Sequence, residues 1–317
     1  MTTTVDVLVV GDANPDLVLR GDVRPRFSQA EQLLTTADLV LGGSAAITAA
    51  GCARLGLRTR LIAALGDDMF GAFTRDRLTG RGVALRTPER AGAVPTGLSV
   101  ILSTMDDRAI LTLPGTIAAL EPADVTDADL AAARHLHVAS LYLQPRLAAG
   151  VADLFARARA LGVGTSLDTN WDPSGRWESI GPILAVTDVF LPNRAELLAV
   201  AGESTVDAAA ARLCASGTTV VLKDGARGAR AWWPGGSCAA PGLAVDVVDT
   251  VGAGDSFNAG FLAARLGAAG TGDTAMAAAV AWAAVAGSLS TRAVGGTDAQ
   301  ATTAEIQAGL AVTPSTR

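Results

Sequence analysis

Short apolar runs recur along the chain, most of them closed by Gly, Asp or Asn and followed by apolar residues at helical spacing. "VDVLVVGD" comes first, and "RTRLIAALGDD", "HLHVASLYL", "GVGTSLDTN", "DVFLPN" and "TTVVLKDG" repeat the pattern. Between them lie helical stretches: "GGSAAITAAGCARLG" ending at Gly56, residues 145–161, a helix through 185 and another from 194. Continuous rather than alternating apolar strands, separated by helices, predict a mostly parallel sheet covered on both faces. A short strand pair is expected around "GARAWWPGGSCAA". Two segments break the rhythm. Residues 94–115, "VPTGLSVILSTMDDRAILTLPG", read as a hairpin turning at "MDDR", and residues 12–23, "DANPDLVLRGDV", read as a return strand or exposed hairpin. Together they predict a small β lid. The apolar run "AMAAAVAWAAVAG" (275–287) is too short for the ~20 residues a bilayer requires and is expected to be a buried helix. A polar tail follows about residue 311.

Composition narrows the picture. Hydrophobic residues make up 50% of the chain and aromatics 4%, so the core is expected to be built from Ala, Val and Leu. A net charge of −6 without basic clusters argues against a nucleic-acid surface. Lys223 is the only lysine, and the absence of any Gly-Lys pair excludes a GxxxxGK phosphate loop. "GDANPD" after the first strand replaces the GxGxxG of a dinucleotide-dependent oxidoreductase. Cys52, Cys214 and Cys238 lack CxxC or Cys/His ligand spacing and fit a reducing compartment. "MTTTVDVLVVGD" has no basic n-region and reads as a first strand rather than a signal peptide, so a cytoplasmic location is expected.

In open α/β sheets, ligands gather outside the carboxyl ends of the strands. "GDANPD", "GGSAA", "LDTNWD", "PNRAE", "KDGARG" and "DTVGAGD" fall in those loops. In "DTVGAGDSFNAG" (249–260), Gly252, Ala253 and Gly254 leave N–H groups bare where a helix begins, the anatomy of an anion cradle. Asp255 beside it suits a base in phosphoryl transfer, or an acid stabilised by the helix dipole. Asn14 and Asp16 flank Pro15, a setting that by itself favours a turn. Asn193 and Glu196 have the spacing of a helix cap and first-turn acid. His135 and His137 alternate along a strand, so at most one is expected to face the core, and neither has metal-ligand company.

"DTVGAGDSFNAGFLA" resembles the C-terminal signature of the PfkB/ribokinase family of carbohydrate kinases. "GDANPD", "GGSAAITAAGCARLG", "GDDMFG", "PTGLSV", "PNRAE", "VVLKDGARGA" and "STRAVGG" follow in family order, so that the resemblance spans essentially residues 5–300. It implies a ribokinase-like three-layer α/β/α kinase domain over residues 1–311, with ATP as donor and Mg²⁺. By the same resemblance Asp255 is the catalytic base, and Gly252, Ala253 and Gly254 form the anion hole. Asn14, Asp16, Gly42 and Gly43 match substrate-binding positions. Asn193 and Glu196 match the element that places Mg²⁺ and phosphates, Glu196 acting through water. Lys223, Gly225 and Gly228 lie beside the nucleotide, although many members carry a small hydroxyl residue where Lys223 stands. A solvated surface lysine is the competing reading. Asp249 and residues 291–296 resemble the loops that hold an activating K⁺ in several members, chiefly through backbone carbonyls.

One position departs from the family pattern: Ile47 stands where the N-terminal signature normally has Asn. This implies an acceptor less hydroxylated, or differently oriented, at that point; the competing reading is that Ile47 merely packs in its helix while another residue compensates. "LDTNWDPSGRW" is similar to a segment of acidic-sugar kinases at Asp168, Asn170 and Trp171, and Asp172 departs from it. No cationic clamp is evident; Arg108 at the lid turn could reach a substrate, although turn arginines are usually solvated. The leading expectation is an ATP-dependent kinase of a small sugar or sugar derivative. A nucleoside kinase would want aromatic surfaces near the lid, and one tyrosine with few other aromatics offers little. A non-catalytic sugar- or nucleotide-binding protein has no need of the intact "GAGD". The expected partners are sugar and ATP, with no nucleic acid and no membrane. The lid's exposed edges suit a homodimer, and a monomer is equally compatible.

Overall fold

The computed structural model describes residues 4–89, 93–104, 108–267 and 272–312. Its strands begin with β1 (Val5–Val10), β2 (Asn14–Gly21), β3 (Leu34–Gly42), β4 (Thr59–Ile62), β5 (Ala84–Arg86), β6 (Leu98–Ser103) and β7 (Arg108–Leu113). Then come β8 (Ala133–Ala139), β9 (Gly164–Asp168), β10 (Val189–Phe190), β11 (Thr219–Lys223), β12 (Ala229–Trp233) and β13 (Gly236–Ala240). The large sheet runs β13-β12-β11-β10-β9-β8-β1-β4-β5, parallel throughout except for the antiparallel pairings of β12 and β13.

The apolar runs are continuous because both faces of this sheet are covered. Along β1, Val7 and Val9 pack with the helices Ser44–Arg54, Ala253–Gly267 and Asp273–Ser290, through Ala49, Phe261 and Ala279. The intervening Leu8 and Val10 join the opposite core with Leu154, Phe155 and Ile183. A chain rich in Ala thus forms helices that approach the sheet closely. No described helix is long and apolar enough to cross a membrane. The run at 275–287 lies within Asp273–Ser290.

The smaller sheet runs β3-β2-β6-β7 and is the lid. Both expected lid segments contribute, but the turn at 105–107 lies outside the described residues. A third segment, β3, pairs antiparallel with β2 and brings Gly42 opposite Asn14. Its sequence "LTTADLVLG" grades from exposed at Leu34 to buried at Gly42 and lacks the alternation that marked the hairpin, so nothing local announced it. At the other end, the helix Thr303–Val312 runs one residue into the expected polar tail of 312–317, whose remainder lies outside the described residues.

Candidate active site

A cavity of 180 Å³ opens between the lid and the carboxyl ends of the large sheet's strands, bordered by Asp12, Asn14, Asp16, Ile47, Asn170 and Asp255. Asp16 projects from β2 and accepts a hydrogen bond from Asn14 Nδ2 at 2.9 Å. The register that sets Gly42 beside it is obligatory, since a Cβ at Gly42 would lie 2.1 Å from the Asp16 Cγ. Gly43 follows with φ 85°, and a Cβ there would sit 2.8 Å from the Asp12 carbonyl oxygen. Burial, reinforced by the charge of Asp12, pushes the Asp16 carboxyl up to about 7. Asp12 is itself raised by burial, although Ala45 N and Ser140 Oγ donate to it at 2.9 and 2.8 Å.

Asp255 lies in the first turn of the helix Ala253–Gly267 and is buried. Burial first, and then the charge of Asp168, push its carboxyl up to about 8 against the opposing hydrogen bond from Ser44. Ser44 Oγ donates to Asp255 Oδ1 and stands 3.2 Å from Asn170 Oδ1. A buried carboxyl with a raised pKa at a cavity floor is the arrangement expected of a general base.

A second cavity, of 540 Å³, lies on the other side of the 252–254 turn, and Lys223, Gly225, Gly228, Ala253, Gly254 and Phe257 help to line it. Gly252 and Asp255 border the first cavity while Ala253 and Gly254 border the second, so the turn separates the two and its helix N-terminus serves both. Gly252 has φ 71°, and a Cβ would fall 2.4 Å from the Gly296 Cα. Gly228, at φ 88°, packs so closely that a Cβ would meet the Ala240 carbonyl oxygen at 2.1 Å. Gly225 has φ 59° with open space around it.

Lys223 is not a solvated surface lysine. Its ammonium pairs with Asp168, which also accepts from Asn258 Nδ2 at 2.7 Å. Burial works to raise the Asp168 carboxyl, but Lys223 and the hydrogen bonds hold it below its ordinary value. The lysine reaches the 252–254 turn, since a Cβ on Gly254 would lie 3.5 Å from its Nζ. Asp12, Ser44 and Asn258 escaped the sequence reading. Asn258 had a signal, standing three residues beyond Asp255 on one helix face.

Asn193 and Glu196 form a capping box: Asn193 Oδ1 accepts from Glu196 N at 3.0 Å, and Glu196 Oε2 accepts from Asn193 N at 2.8 Å. Burial and then the charge of Asp168 raise Glu196 to about 7. Such a site suits a hydrated cation, whose charge would restore the carboxylate. The Asp249 carboxylate accepts from Val251 N and Gly295 N, each at 3.0 Å, and from Arg20 Nη2 at 3.2 Å. It ties the cradle turn to the 291–296 loop and to β2, and a cation there would depend on backbone carbonyls. Among the described residues no cluster of three or more His, Cys, Asp or Glu side chains is placed to hold a metal.

Both histidines are buried, contrary to the expectation that at most one faces the core. Residues two apart share a strand face, and His135 Nε2 and His137 Nδ1 each lie 2.8 Å from Ser166 Oγ on β9. Arg108 borders the 180 Å³ cavity, and its Nη1 donates to Thr250 Oγ1 at 3.0 Å. The few aromatics are also unevenly placed, with Trp177 in edge-to-face contact with both Tyr142 and Trp171 on the loops after β8 and β9.

Comparison with known proteins shows the family. The family model described as pfkB family carbohydrate kinase matches residues 5–303. The ATP-dependent ribose-1-phosphate kinase of Halopiger xanaduensis is 34% identical over 83% of this chain and 85% of its own. The fructokinase of Klebsiella pneumoniae is 33% identical over 91% and 94%, respectively. Among solved structures, the ribokinase of Giardia lamblia superposes with a TM-score of 0.85 at 20% identity, covering 97% of this chain and 99% of its own. A putative ribokinase II from E. coli in complex with ATP and Mg²⁺ gives 0.82 at 23% identity over 97% and 99%.

Proposed function

From the premise that this chain belongs to the pfkB family of carbohydrate kinases and is an ATP-dependent sugar kinase, we propose that Asp255 is the base that accepts a proton from a hydroxyl of a small sugar or sugar derivative. The observation that carries this reading is the position of the 252–254 turn, with Asp255 and Gly252 in one cavity and Ala253 and Gly254 in its neighbour. An acceptor hydroxyl against Asp255 and a terminal phosphate against the turn would meet at one helix N-terminus.

Asn14, Asp16, Gly42 and Gly43 orient the acceptor: the Asp16 carboxylate accepts from sugar hydroxyls, and the two glycines let the backbone lie against it. Ionised Asp255 takes the hydroxyl proton as the oxygen attacks phosphorus. The Gly252, Ala253 and Gly254 amides meet the charge that spreads over the phosphoryl oxygens. Lys223, Gly225 and Gly228 hold the nucleotide side, Lys223 as a point charge near the cradle. Mg²⁺, when bound with ATP, neutralises phosphate charge, and Asn193 and Glu196 would hold it through water. Asp249 and the 291–296 loop would shape a K⁺ site. A cytoplasmic location belongs to the same reading, supported by the free thiols of Cys52, Cys214 and Cys238. Exposed Ile110, Leu111 and Leu113 on the edge strand β7 support pairing of two copies through the lid.

The test is ADP release from Mg-ATP with K⁺ across pentoses, hexoses, sugar acids, sugar phosphates and nucleosides, with Asp255→Asn alongside. Acceptor-dependent turnover that falls by roughly 10²-fold or more in the variant is expected. Turnover unaffected by the substitution would remove Asp255 from the role of base.

A further inference from the structure

Two oxygens on the wall of the 180 Å³ cavity compete for one hydrogen. Ser44, Asn170 and Asp255 all border this cavity. Ser44 Oγ is hydrogen-bonded to Asp255 Oδ1 and stands 3.2 Å from Asn170 Oδ1. A hydroxyl has one hydrogen to give, whereas an ionised carboxylate and an amide oxygen only accept. Ser44 therefore satisfies one of the two oxygens at a time.

The backbone of each member is held in place. Ser44 opens the helix Ser44–Arg54, and the N–H of the next residue, Ala45, donates to Asp12 Oδ1 at 2.9 Å. Asn170 lies two residues beyond β9, where its N–H donates to Asp168 Oδ1 at 3.1 Å and its φ is 53°. Asn adopts that left-handed conformation more readily than most residues. Asp255 is buried in the first turn of its helix. What can change is the direction in which the Ser44 hydroxyl points.

Two arrangements follow from the proton count. With Asp255 protonated, its O–H donates to Ser44 Oγ, and Ser44 donates to Asn170 Oδ1. With Asp255 ionised, Ser44 donates to the carboxylate, and Asn170 Oδ1 accepts from water or from an acceptor hydroxyl. Burial opposes the ionisation of Asp255, the charges of Asp168 and Asp12 add to that, and Ser44 and Lys223 favour it. Asp16 and Arg108 are the charged groups that the lid strands β2 and β7 bring to the same cavity.

We propose that Ser44 is a positioning residue whose hydroxyl swings between Asn170 and Asp255, so that an ionised Asp255 and an acceptor hydroxyl on Asn170 Oδ1 occur together. The acceptor class is then a sugar with a second hydroxyl next to the one phosphorylated. Two oxygens that both reach Ser44 Oγ lie at most about 6 Å apart, a span that neighbouring hydroxyls bridge. The proposal rests on the reading of Asp255 as the base and adds what sets its ionisation and what the acceptor places beside it.

The experiment follows the acid limb of acceptor-dependent kcat/KM in wild type, Ser44→Ala, Ser44→Thr and Asn170→Gly. Ser44→Ala removes a bond made to the carboxylate, so the limb should move up by about one pH unit, a loss of about tenfold on the acid side. Asn170→Gly keeps the left-handed backbone and weakens only the protonated arrangement, so the limb should move down by about half a unit to one unit. Ser44→Thr keeps the hydroxyl and should keep the limb. A merely structural role would not move the two limbs in opposite directions. Ser44→Cys, a weaker donor of similar shape, replaces Ser44→Ala if that variant does not fold.

On the alkaline plateau, at least one analogue lacking a hydroxyl next to the phosphorylated carbon should be about threefold to tenfold poorer than the parent sugar in wild type, and no poorer in Asn170→Gly. Limbs that move in the same direction, an unmoved limb in Ser44→Ala, or a deoxy penalty that survives Asn170→Gly overturns the proposal. If no acceptor is phosphorylated, the kinase reading fails separately. Carbon-13 NMR of protein labelled at its Asp carboxyls then titrates Asp255 directly, its signal identified by loss in Asp255→Asn. Opposed shifts in the two variants support the switch, and equal or absent shifts overturn it.

Discussion

Lys223 and Asp168 form an ion pair beside the wall between the two cavities, with side chains 13% and 3% exposed. Neither charge is tolerable at such burial without the other. Lys223→Met should therefore destabilise the protein by about 3–5 kcal/mol, because the Asp168 carboxylate is left unpaired. The double variant Lys223→Met/Asp168→Asn should recover much of that stability, whereas its activity should stay low because no ammonium stands at the cradle. Urea denaturation of the singles and the double measures the coupling. A double variant no more stable than Lys223→Met would show that the pair is not the source of the loss.

The Asp255 carboxyl, raised to about 8, must be ionised to act as a base. Acceptor-dependent kcat/KM should thus rise with pH and level off near 8, falling about tenfold for each unit below it. Stability runs the other way. The folded protein holds a proton that the unfolded chain releases near 4, so this group's contribution is fully present below about pH 4 and is lost as pH rises through about 8. Asp255→Asn removes both dependences. Its melting temperature should fall less than that of wild type between pH 5 and 8, which a thermal melt series can measure; parallel curves would contradict the raised value.

The parallel sheet and the glycine-rich helix start were legible in the chain because both are local patterns. The continuous run of β1 requires cover on both faces, and "GAGD" carries its own geometry. What was hidden depends on residues far apart in sequence. Asp168 and Lys223 are 55 positions apart, and nothing in "LDTN" or "LKDG" reveals that they meet. β3 was missed for the same reason, since its partner in the lid and not its own alternation makes it a strand. The histidines show the converse error: a two-residue spacing puts both on one face, and in a sheet covered on both sides that face is buried.

Gly42 and Asp16 offer a test that separates the acceptor from the nucleotide. A methyl group at Gly42 would overlap the Asp16 carboxylate, with contacts of 2.1 to 2.4 Å. Gly42→Ala should displace Asp16 and raise the acceptor KM by about tenfold or more, the scale of a lost hydrogen bond to a charged group. The KM for ATP should remain within about twofold, since Gly42 does not border the second cavity. Steady-state kinetics with each substrate varied in turn measures the split. A matching rise in both constants would mean that the lid as a whole has moved.

Ile47 fills the space between two backbone glycines. A Cβ on Gly296 would lie 2.5 Å from its Cδ1, and one on Gly252 would lie 3.1 Å from its Cγ2. It therefore supports the 252–254 turn while presenting an apolar surface to the smaller cavity. Ile47→Asn should cost about 1–3 kcal/mol in the free enzyme, because a buried amide is left without a partner. A hydroxylated acceptor can supply that partner and a deoxy acceptor cannot. The variant's kcat/KM ratio for a sugar over its deoxy analogue should rise by about tenfold relative to wild type, and the hydroxylated sugar should restore part of the lost thermal stability. Ile47→Val, which keeps the apolar wall, should leave the ratio where it was. If Asn and Val variants lose activity equally toward both sugars, Ile47 acts only through the packing of Gly252 and Gly296, and the acceptor's hydroxyls are read elsewhere in the cavity.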